Sequence, residues 1–377
     1  MNRSADPALL SLEAALARLA AAFPAPATEA VRADRDDPAL DLSAMDGAAV
    51  RSADGDRPRA VLGTLYAGEA PGRFQLGPDT CVRIMTGAAL PAGADAVVPV
   101  EALRAEGDRL APLVPPRAGE WVRPRAGQAK AGEVLLAAGS PWNAARVGLR
   151  AQVGAPWPPL ARVVVGIAAT GDELAADPAP HQIRDANGPM LAALAHNLGA
   201  EVRRLPALPD DSAALRRRLE ELDGLDILVT SGGVSAGDRD HLPRVLADMG
   251  AQVLFHKIRL KPGKPMLAAL LGPKVVLGLP GNPASSYMNL LLFLPVAMAG
   301  VQGAVAPDPW KAGRLETAAA NADSRPLLLP CRRRDDLLQP LPSRGSADLV
   351  RLAQADACAW VEPGGAPAGP VRYLELR

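Results

Sequence analysis

Cysteine is nearly missing from this sequence. Its 377 residues hold three, Cys81, Cys331 and Cys358, far apart and with no CxxC pair. That spacing argues against a disulfide framework and a zinc–thiolate site, and fits the reduced thiols of a cytoplasmic protein. Aromatic residues make up 3% of the chain, so its cores must be built from Ala, Leu and Val. Neither sign of charge is in excess. The 41 Lys and Arg stand against 41 Asp and Glu, which leaves no electrostatic footprint for nucleic acid or an anionic membrane. The four histidines, His181, His196, His241 and His256, show no metal-ligand spacing. There is no Walker A pattern, no GxGxxG, no internal repeat and no Ser/His/Asp order of a hydrolase. Long apolar runs are also lacking. The most apolar stretch, Tyr287–Val301, is shorter than the roughly 20 residues a membrane span needs. It contains Asn289 and Pro295 and is expected to be a buried helix. Asp6 and Glu13 interrupt the N-terminal apolar run, so no secretion signal is expected.

Glycine (35) and proline (38) are abundant, which implies many turns, and the length implies about two to four domains. Residues 7–22 place leucines at helical spacing and read as an amphipathic helix ended by Pro24 and Pro26. Residues 51–118 alternate short β-type runs with turn residues, the pattern of a small β-domain. Residues 119–139 read as a β-meander and 142–153 as a short helix, and Pro156, Pro158 and Pro159 mark a boundary. From Ala161 the pattern becomes strand, loop, helix, repeated. Apolar strands begin at Arg162, Glu201, Asp226 and Lys274, and Ser212 reads as the N-cap of the helix 212–222. Such alternation predicts βαβ units around a parallel sheet. From Pro307 onward short strands return as a small C-terminal β-domain.

The stretch Asp226–Asp240, DILVTSGGVSAGDRD, is the strongest candidate for a site. A strand opening through Ser231-Gly232-Gly233 toward a helix offers backbone N–H groups to an anion. Asp238 and Asp240 just downstream are placed to hold a divalent cation against a phosphate. Asp172 with Glu173, and Asp210 with Asp211, follow two other strands. Ligands of parallel sheets bind beyond the carboxyl ends of the strands, so the three acidic loops converge on one crevice. Lys257, Arg259 and Lys261 alternate as they would along one face of a strand, and Lys264 sits in a Pro-Gly turn. These residues read either as a solvated edge or as a cationic arm for an oxyanion. Pro280-Gly-Asn-Pro283 is a pre-ordered loop, with Ser285 and Ser286 at the start of the next helix, an anion-receptive place. In the N-terminal half, Asp46 of Ser43-Ala-Met-Asp-Gly47 reads as a turn or cap residue. Thr86 beside Gly87 can bind an oxyanion or cap a turn.

Several stretches together carry a resemblance: SAMDG at 43–47, RIMTGAALPAGADAVV at 83–98, ATGDEL at 169–174, IRDANGPML at 183–191, DILVTSGGVSAGDRDHL at 226–242, KPGKP at 261–265 and GLPGNPASS at 278–286. In this order and spacing the chain resembles the molybdopterin molybdenumtransferase family, whose members include MoeA and the E domain of gephyrin. The resemblance covers about residues 8–305 well and the rest weakly. It implies four domains: an N-terminal linker domain from 1–42 and 119–160, a small β-domain at 43–118, an α/β molybdopterin-binding domain at 161–305 and a C-terminal β-domain at 306–377. It implies an enzyme that inserts molybdate into adenylylated molybdopterin with Mg²⁺-dependent hydrolysis of the adenylate, giving molybdenum cofactor and AMP. It also implies a homodimer whose cleft is shared between subunits, with Asp46 and Thr86 reaching the site from the partner chain. Glu173, Asp210 and Asp240 match acidic cleft positions, Asp240 with Glu173 serving Mg²⁺. Ser231, Gly232, Gly233 and Ser235 match the phosphate loop. Lys257, Lys261 and Lys264 would attract the pterin phosphate and molybdate. Pro280, Pro283 and Ser285 match the molybdate-facing loop, and Arg332 and Ser346 match C-terminal positions near the oxyanion. The chain departs from the family pattern at Ala48, where a tyrosine is usual, at Gln128, where an acid is common, and in the approach Asp37-Pro-Ala-Leu-Asp-Leu42.

Overall fold

Contacts divide the chain into two units, one formed by Glu29–Ala138 and Trp142–Trp157, the other by Met1–Thr28, Gly139–Pro141 and Pro158–Arg377. The structure, a computed structural model, describes residues 9–23, 29–140, 143–156, 162–171, 173–209, 211–234 and 241–376. In chain order the first element is α1 (Leu12–Ala20), part of the larger unit, capped by the Ser11 hydroxyl, which accepts from the Ala14 N–H.

The smaller unit is mainly β. It contains β1 (Val31–Arg32), β2 (Leu42–Ser43), β3 (Gly47–Val50), β4 (Arg59–Leu65), β5 (Thr80–Ile84), β6 (Ala96–Pro99), β7 (Leu103–Glu106), β8 (Arg109–Pro112), β9 (Val122–Arg123), β10 (Val134–Leu136) and helix α2 (Ala144–Gln152). Six strands form one sheet in the order β6-β3-β5-β4-β8-β7. Alternate side chains fill two cores: Ala49, Val82 and Ile84 lie on one face, and Ala48, Val50 and Cys81 on the other. Ala48 is fully buried. The expected meander at 119–139 is not one. β9 pairs with β2, and β10 with β1, so each joins a strand from the first part of the unit rather than its sequence neighbour.

The larger unit is layered. Its strands are β11 (Val164–Ala169), β12 (Glu201–Arg204), β13 (Ile227–Ser231), β14 (Gln252–His256), β15 (Leu267–Leu271) and β16 (Lys274–Leu279). Its helices are α3 (Asn187–Asn197), α4 (Ser212–Glu220), α5 (Leu242–Asp248) and α6 (Pro283–Val301). The sheet order is β12-β11-β13-β16-β15-β14. The first four strands are parallel, as the βαβ pattern predicts. β15 runs antiparallel to both of its neighbours, β16 and β14, so the sheet is mixed rather than parallel. The cause is local: Gly272 (φ +58°) and Pro273 close a tight hairpin between β15 and β16, and a two-residue connection can only join antiparallel strands. Ile227 and Val229 of β13 face a core shared with α1, α3 and α6, while Leu228 faces one shared with α4 and α5. Helix α6, apolar enough and long enough by composition to cross a membrane, is mostly buried in this core. The cap of α4 is Asp211, whose carboxylate accepts from the Ala214 N–H at 2.8 Å. Ser212 is the first helical residue, not the N-cap, because the carboxylate one place earlier reaches that N–H.

The chain ends in a closed barrel, β17 (Trp310–Leu315), β19 (Leu337–Pro340), β18 (Leu327–Arg334), β20 (Ala357–Val361) and β21 (Gly369–Glu375), with helix α7 (Leu349–Ala353) beside it. The guanidinium of Arg372 lies over the rings of both Trp310 and Trp360, 4.5 and 4.3 Å from their centroids, and donates to Glu13 of α1 at 3.0 Å. All three cysteines are buried and free. Burial pushes the Cys81 and Cys331 thiols up to about 11, and holds the Cys358 thiol well above the usual thiol range, which leaves them protonated and unreactive at neutral pH.

Phe293 of α6 is fully buried with its ring 5.5 Å from that of Phe255. Phe293→Ala is expected to destabilise the larger unit by about 3–5 kcal/mol and Phe293→Leu by clearly less, as measured by chemical denaturation.

Candidate functional site

Strands β12 and β13 flank β11 on opposite sides, so successive crossovers leave in opposite directions there. That is the switch point at which α/β sheets open a crevice. Backbone bonds fix its edge. The Thr170 N–H donates to Ser231 O at 2.9 Å and the Gly232 N–H to Leu279 O at 2.9 Å, which draws the ends of β11, β13 and β16 together. Gly232 (φ +102°) and Gly233 (φ +69°) adopt left-handed backbone, and a Cβ on Gly232 would lie 2.3 Å from Thr170 Oγ1. Only glycine fits there without displacing the β11 loop.

A cavity of about 670 Å³ opens above this edge. Its wall includes Glu173, Ser231, Gly232, Gly233, Pro280 and Pro283, all sites expected from the sequence. The structure also details how they are held. The Ser231 hydroxyl accepts from Asn187 Nδ2 at 2.7 Å and donates to Pro280 O at 3.3 Å. Asn187 Nδ2 also donates to Gly281 O at 2.6 Å. The Ser231 hydroxyl and the Gly232 N–H are therefore committed to the wall and shape the loop, leaving Gly233 as the freer backbone donor of the pair. Asp185 accepts from the Gly188 N–H at 2.7 Å and pairs with Arg204 at 3.1 Å, anchoring the start of α3. Asn187, whose side-chain oxygen Oδ1 is buried without a hydrogen-bond partner, lies on the same wall.

A second cavity of about 680 Å³ shares Pro265, Pro280 and Asn282 with the first. It is cationic and hydroxyl-lined: Lys261, Lys264, Arg325, Arg344, Ser285 and Ser346 face it. Ser285 is the third residue of α6, inside the turn whose N–H groups lack intrahelical acceptors. Asn282 precedes the helix and turns its side chain outward to donate to Ser346 Oγ at 2.8 Å, while the Ala284 N–H donates to Ser346 O at 3.1 Å. These two bonds hold the loop ahead of α7 against the start of α6. The 261–264 loop is held from both sides. Lys261 N–H and C=O bond Pro326 and Leu328 at 2.9 and 2.8 Å, and buried Asn289 of α6 donates to Gly263 O at 3.1 Å.

The structure departs from the expected cationic strand. β14 ends at His256, because Lys257 takes left-handed backbone (φ +74°) that a strand cannot continue through. Lys257, Arg259 and Lys261 therefore share no strand face. Lys257 lines neither cavity, and the loop rather than a strand delivers Lys261 and Lys264. Arg332 is exposed on β18 and also lines neither cavity. Besides Arg344, the arginine that faces the second cavity is Arg325, in the loop before β18, which no motif singled out. The only sequence signal was Asp323 two residues before it.

Asp46 and Thr86 belong to the smaller unit. Asp46 Oδ1 accepts from both the Thr86 N–H and its hydroxyl, each at 2.7 Å. The two sequence motifs thus meet in one turn pair, and these donors, the backbone one foremost, hold the Asp46 carboxyl below the usual range. Asp210, Ser235 and Asp240 lie outside the described residues. Among the described residues no group of three His, Cys, Asp or Glu side chains is placed to hold a metal ion. Mg²⁺ commonly binds through one or two carboxylates plus substrate phosphates, and Glu173 on the wall of the first cavity meets that smaller requirement.

Comparison with known proteins places these cavities in context. Residues 166–299 match a family described as a probable molybdopterin binding domain, and residues 5–154 match the MoeA N-terminal region, domains I and II. The chain is 37% identical over 279 residues to a molybdopterin molybdenumtransferase of Nostoc sp., covering 70% of this chain and 64% of that one. It therefore spans somewhat under two thirds of that relative's length. With the molybdopterin molybdenumtransferase of Staphylococcus aureus strain COL it shares 32% identity over 354 residues, 89% of this chain and 84% of that one. The solved structure of the molybdopterin biosynthesis moea protein from Pyrococcus horikosii superposes with a TM-score of 0.70 at 25% identity, over 98% and 99% of the two chains.

Thr86→Val removes the hydroxyl bond and leaves the backbone one, so the Asp46 pKa is expected to rise toward the ordinary carboxylate value, followed by NMR titration. Because the folded value is the lowered one, any stability this carboxylate contributes is present above its unfolded pKa and is lost as pH falls through the folded one. An unchanged Asp46 titration in the variant contradicts the assignment.

Proposed function

The chain belongs to the molybdopterin molybdenumtransferase family, and from that premise we propose that it inserts molybdate into adenylylated molybdopterin, with Mg²⁺-dependent hydrolysis of the adenylate to give molybdenum cofactor and AMP. The observation that carries this reading is the pair of cavities with a shared wall. One is a crevice at glycine-rich strand ends suited to a phosphoanhydride. The other is cationic and suited to a small oxyanion. A dianion leaving water needs such compensation, because burial without partners is costly.

In this reading the first cavity holds the pterin phosphate and its adenylate at Gly233, with Ser231, Asn187 and Pro280 keeping the loop in shape. Bound Mg²⁺ supplies polarisation of the phosphoryl oxygens, and Glu173, with Asp240, is the residue pair to hold it. Lys261 and Lys264 offset the charge of the second substrate, molybdate. Ser285 donates to it from the first turn of α6, and Ser346 borders it on the barrel side. No side chain among the lining residues is placed as a covalent nucleophile, so the protein's contribution is positioning and electrostatic stabilisation. The rest of the proposal is a cytoplasmic homodimer in which Asp46 and Thr86 complete the site from a second chain.

The test combines purified protein, adenylylated molybdopterin, molybdate and Mg²⁺. AMP release and formation of active cofactor are expected, both lost on chelation of the metal. Ser285→Ala is expected to slow turnover by roughly 10²-fold, the scale for removing one oxyanion donor. Absence of AMP release with tight pterin binding would instead make the chain a non-catalytic binding protein. For the shared site, Asp46→Ala and Ser285→Ala proteins, each strongly impaired alone, are expected to regain part of the activity on subunit mixing. No recovery in mixed dimers verified by differential tagging counts against it.

A further inference from the structure

Behind the cations of the second cavity stands a carboxylate that the proposed reaction does not use. Asp323 lies in the connection between β17 and β18 and is not itself a lining residue. Its two oxygens grip Arg325 in a fork, Oδ1 accepting from Nε at 2.9 Å and Oδ2 from Nη2 at 2.8 Å, and Oδ1 also accepts from the Arg325 N–H at 3.0 Å. Arg325 is tied further by donation from Nη1 to Leu260 O at 3.2 Å. Buried Asn321 fixes the turn by accepting from the Asp323 N–H and donating to Arg325 O. Lys261 Nζ lies 3.6 Å from the same Asp323 Oδ2.

The two cations therefore stand in different relations to this carboxylate. The arginine pair is bidentate, with both side chains about three quarters buried (24% and 21% exposed), and its geometry is the strong, directional kind. The lysine contact is longer than a hydrogen bond and its side chain is 44% exposed, so solvent screens it and it is weakly held. Asp323 occupies the guanidinium fork and leaves the ammonium exchangeable.

We propose that Asp323 is a built-in counter-ion of the oxyanion subsite, a positioning residue that withholds Arg325 from the incoming anion and competes with it for Lys261. An anion entering the cavity shares the Lys261 ammonium with a resident carboxylate. Affinity is thereby lowered while the cation stays at the cavity wall. The anion class is a tetrahedral oxyanion. The inference rests on reading the second cavity as the oxyanion subsite.

The test is calorimetric titration of the full-length protein with sodium molybdate, beside thermal melts. Asp323→Asn is expected to bind molybdate roughly two- to fivefold more tightly at low salt, the scale of releasing one partly exposed ion pair, with the gain shrinking as salt is added. Asp323→Glu, which keeps the charge, is expected to bind like the wild type. A purely structural role for Asp323 gives the opposite sign, weaker binding in Asp323→Asn as Arg325 and its turn loosen. Equal or weaker binding in that variant, with wild-type binding intact, overturns the inference and leaves the subsite reading standing. If the wild type itself binds no molybdate, both fall. Should Asp323→Asn melt well below the wild type, the double variant Asp323→Asn/Arg325→Gln replaces it. That variant removes the fork as a unit and leaves Lys261 without its counter-ion, so it too must bind more tightly.

Discussion

The ends of three parallel strands are laced together by backbone hydrogen bonds, and both cavities depend on that lacing. Thr170 to Ser231 and Gly232 to Leu279 close the carboxyl edge of β11, β13 and β16. They leave the loops, not the strands, to present chemistry. The geometry works only because residue 232 lacks a Cβ, which would strike Thr170. The crevice is thus a consequence of strand order, and its shape a consequence of one close backbone approach.

The second dependence runs through the start of α6. Pro283 begins the helix, Asn282 turns its side chain to the barrel-side loop, and Ser346 receives both that amide and the Ala284 N–H. From the other side the Lys261 backbone pairs with Pro326 and Leu328. One helix end therefore borders two cavities and fastens the barrel to the α/β layers. The long apolar body of α6 makes this rigid, since it is packed from Ala284 to Ala299. Cations delivered by a loop are held as firmly as strand residues when the loop is bonded on both sides.

Much of the α/β organisation was legible in the pattern of residues. Apolar runs at 162–168, 226–230 and 274–279 became parallel neighbours, and the helices between them formed close to where periodicity put them. The departures have specific causes. The Gly272-Pro273 hairpin reversed the edge of the sheet, a turn signal outweighed by the apolar runs around it. Lys257 took left-handed backbone that period-2 spacing cannot reveal. Asp211 displaced Ser212 as cap because the two adjacent polar residues both suit the role. Arg325 was invisible because its importance comes from a long-range pairing of the 261–264 loop with β18, and Arg332 looked equivalent in sequence while lying on an exposed strand face.

Residue order alone determined the elements, the acidic and glycine-rich strand ends and the family to which the chain belongs, because these follow from local periodicity, turn chemistry and motif spacing. Tertiary structure decided which of those groups share a wall. It set Lys261 and Lys264 against Ser285 and Ser346, removed Lys257 and Arg332 from that group, and placed Asp323 behind Lys261 and Arg325. The physical reason is distance. Charge and hydrogen bonding act over a few ångströms in space, and residues 261, 285, 323 and 346 reach that range only after the barrel has docked on the end of α6.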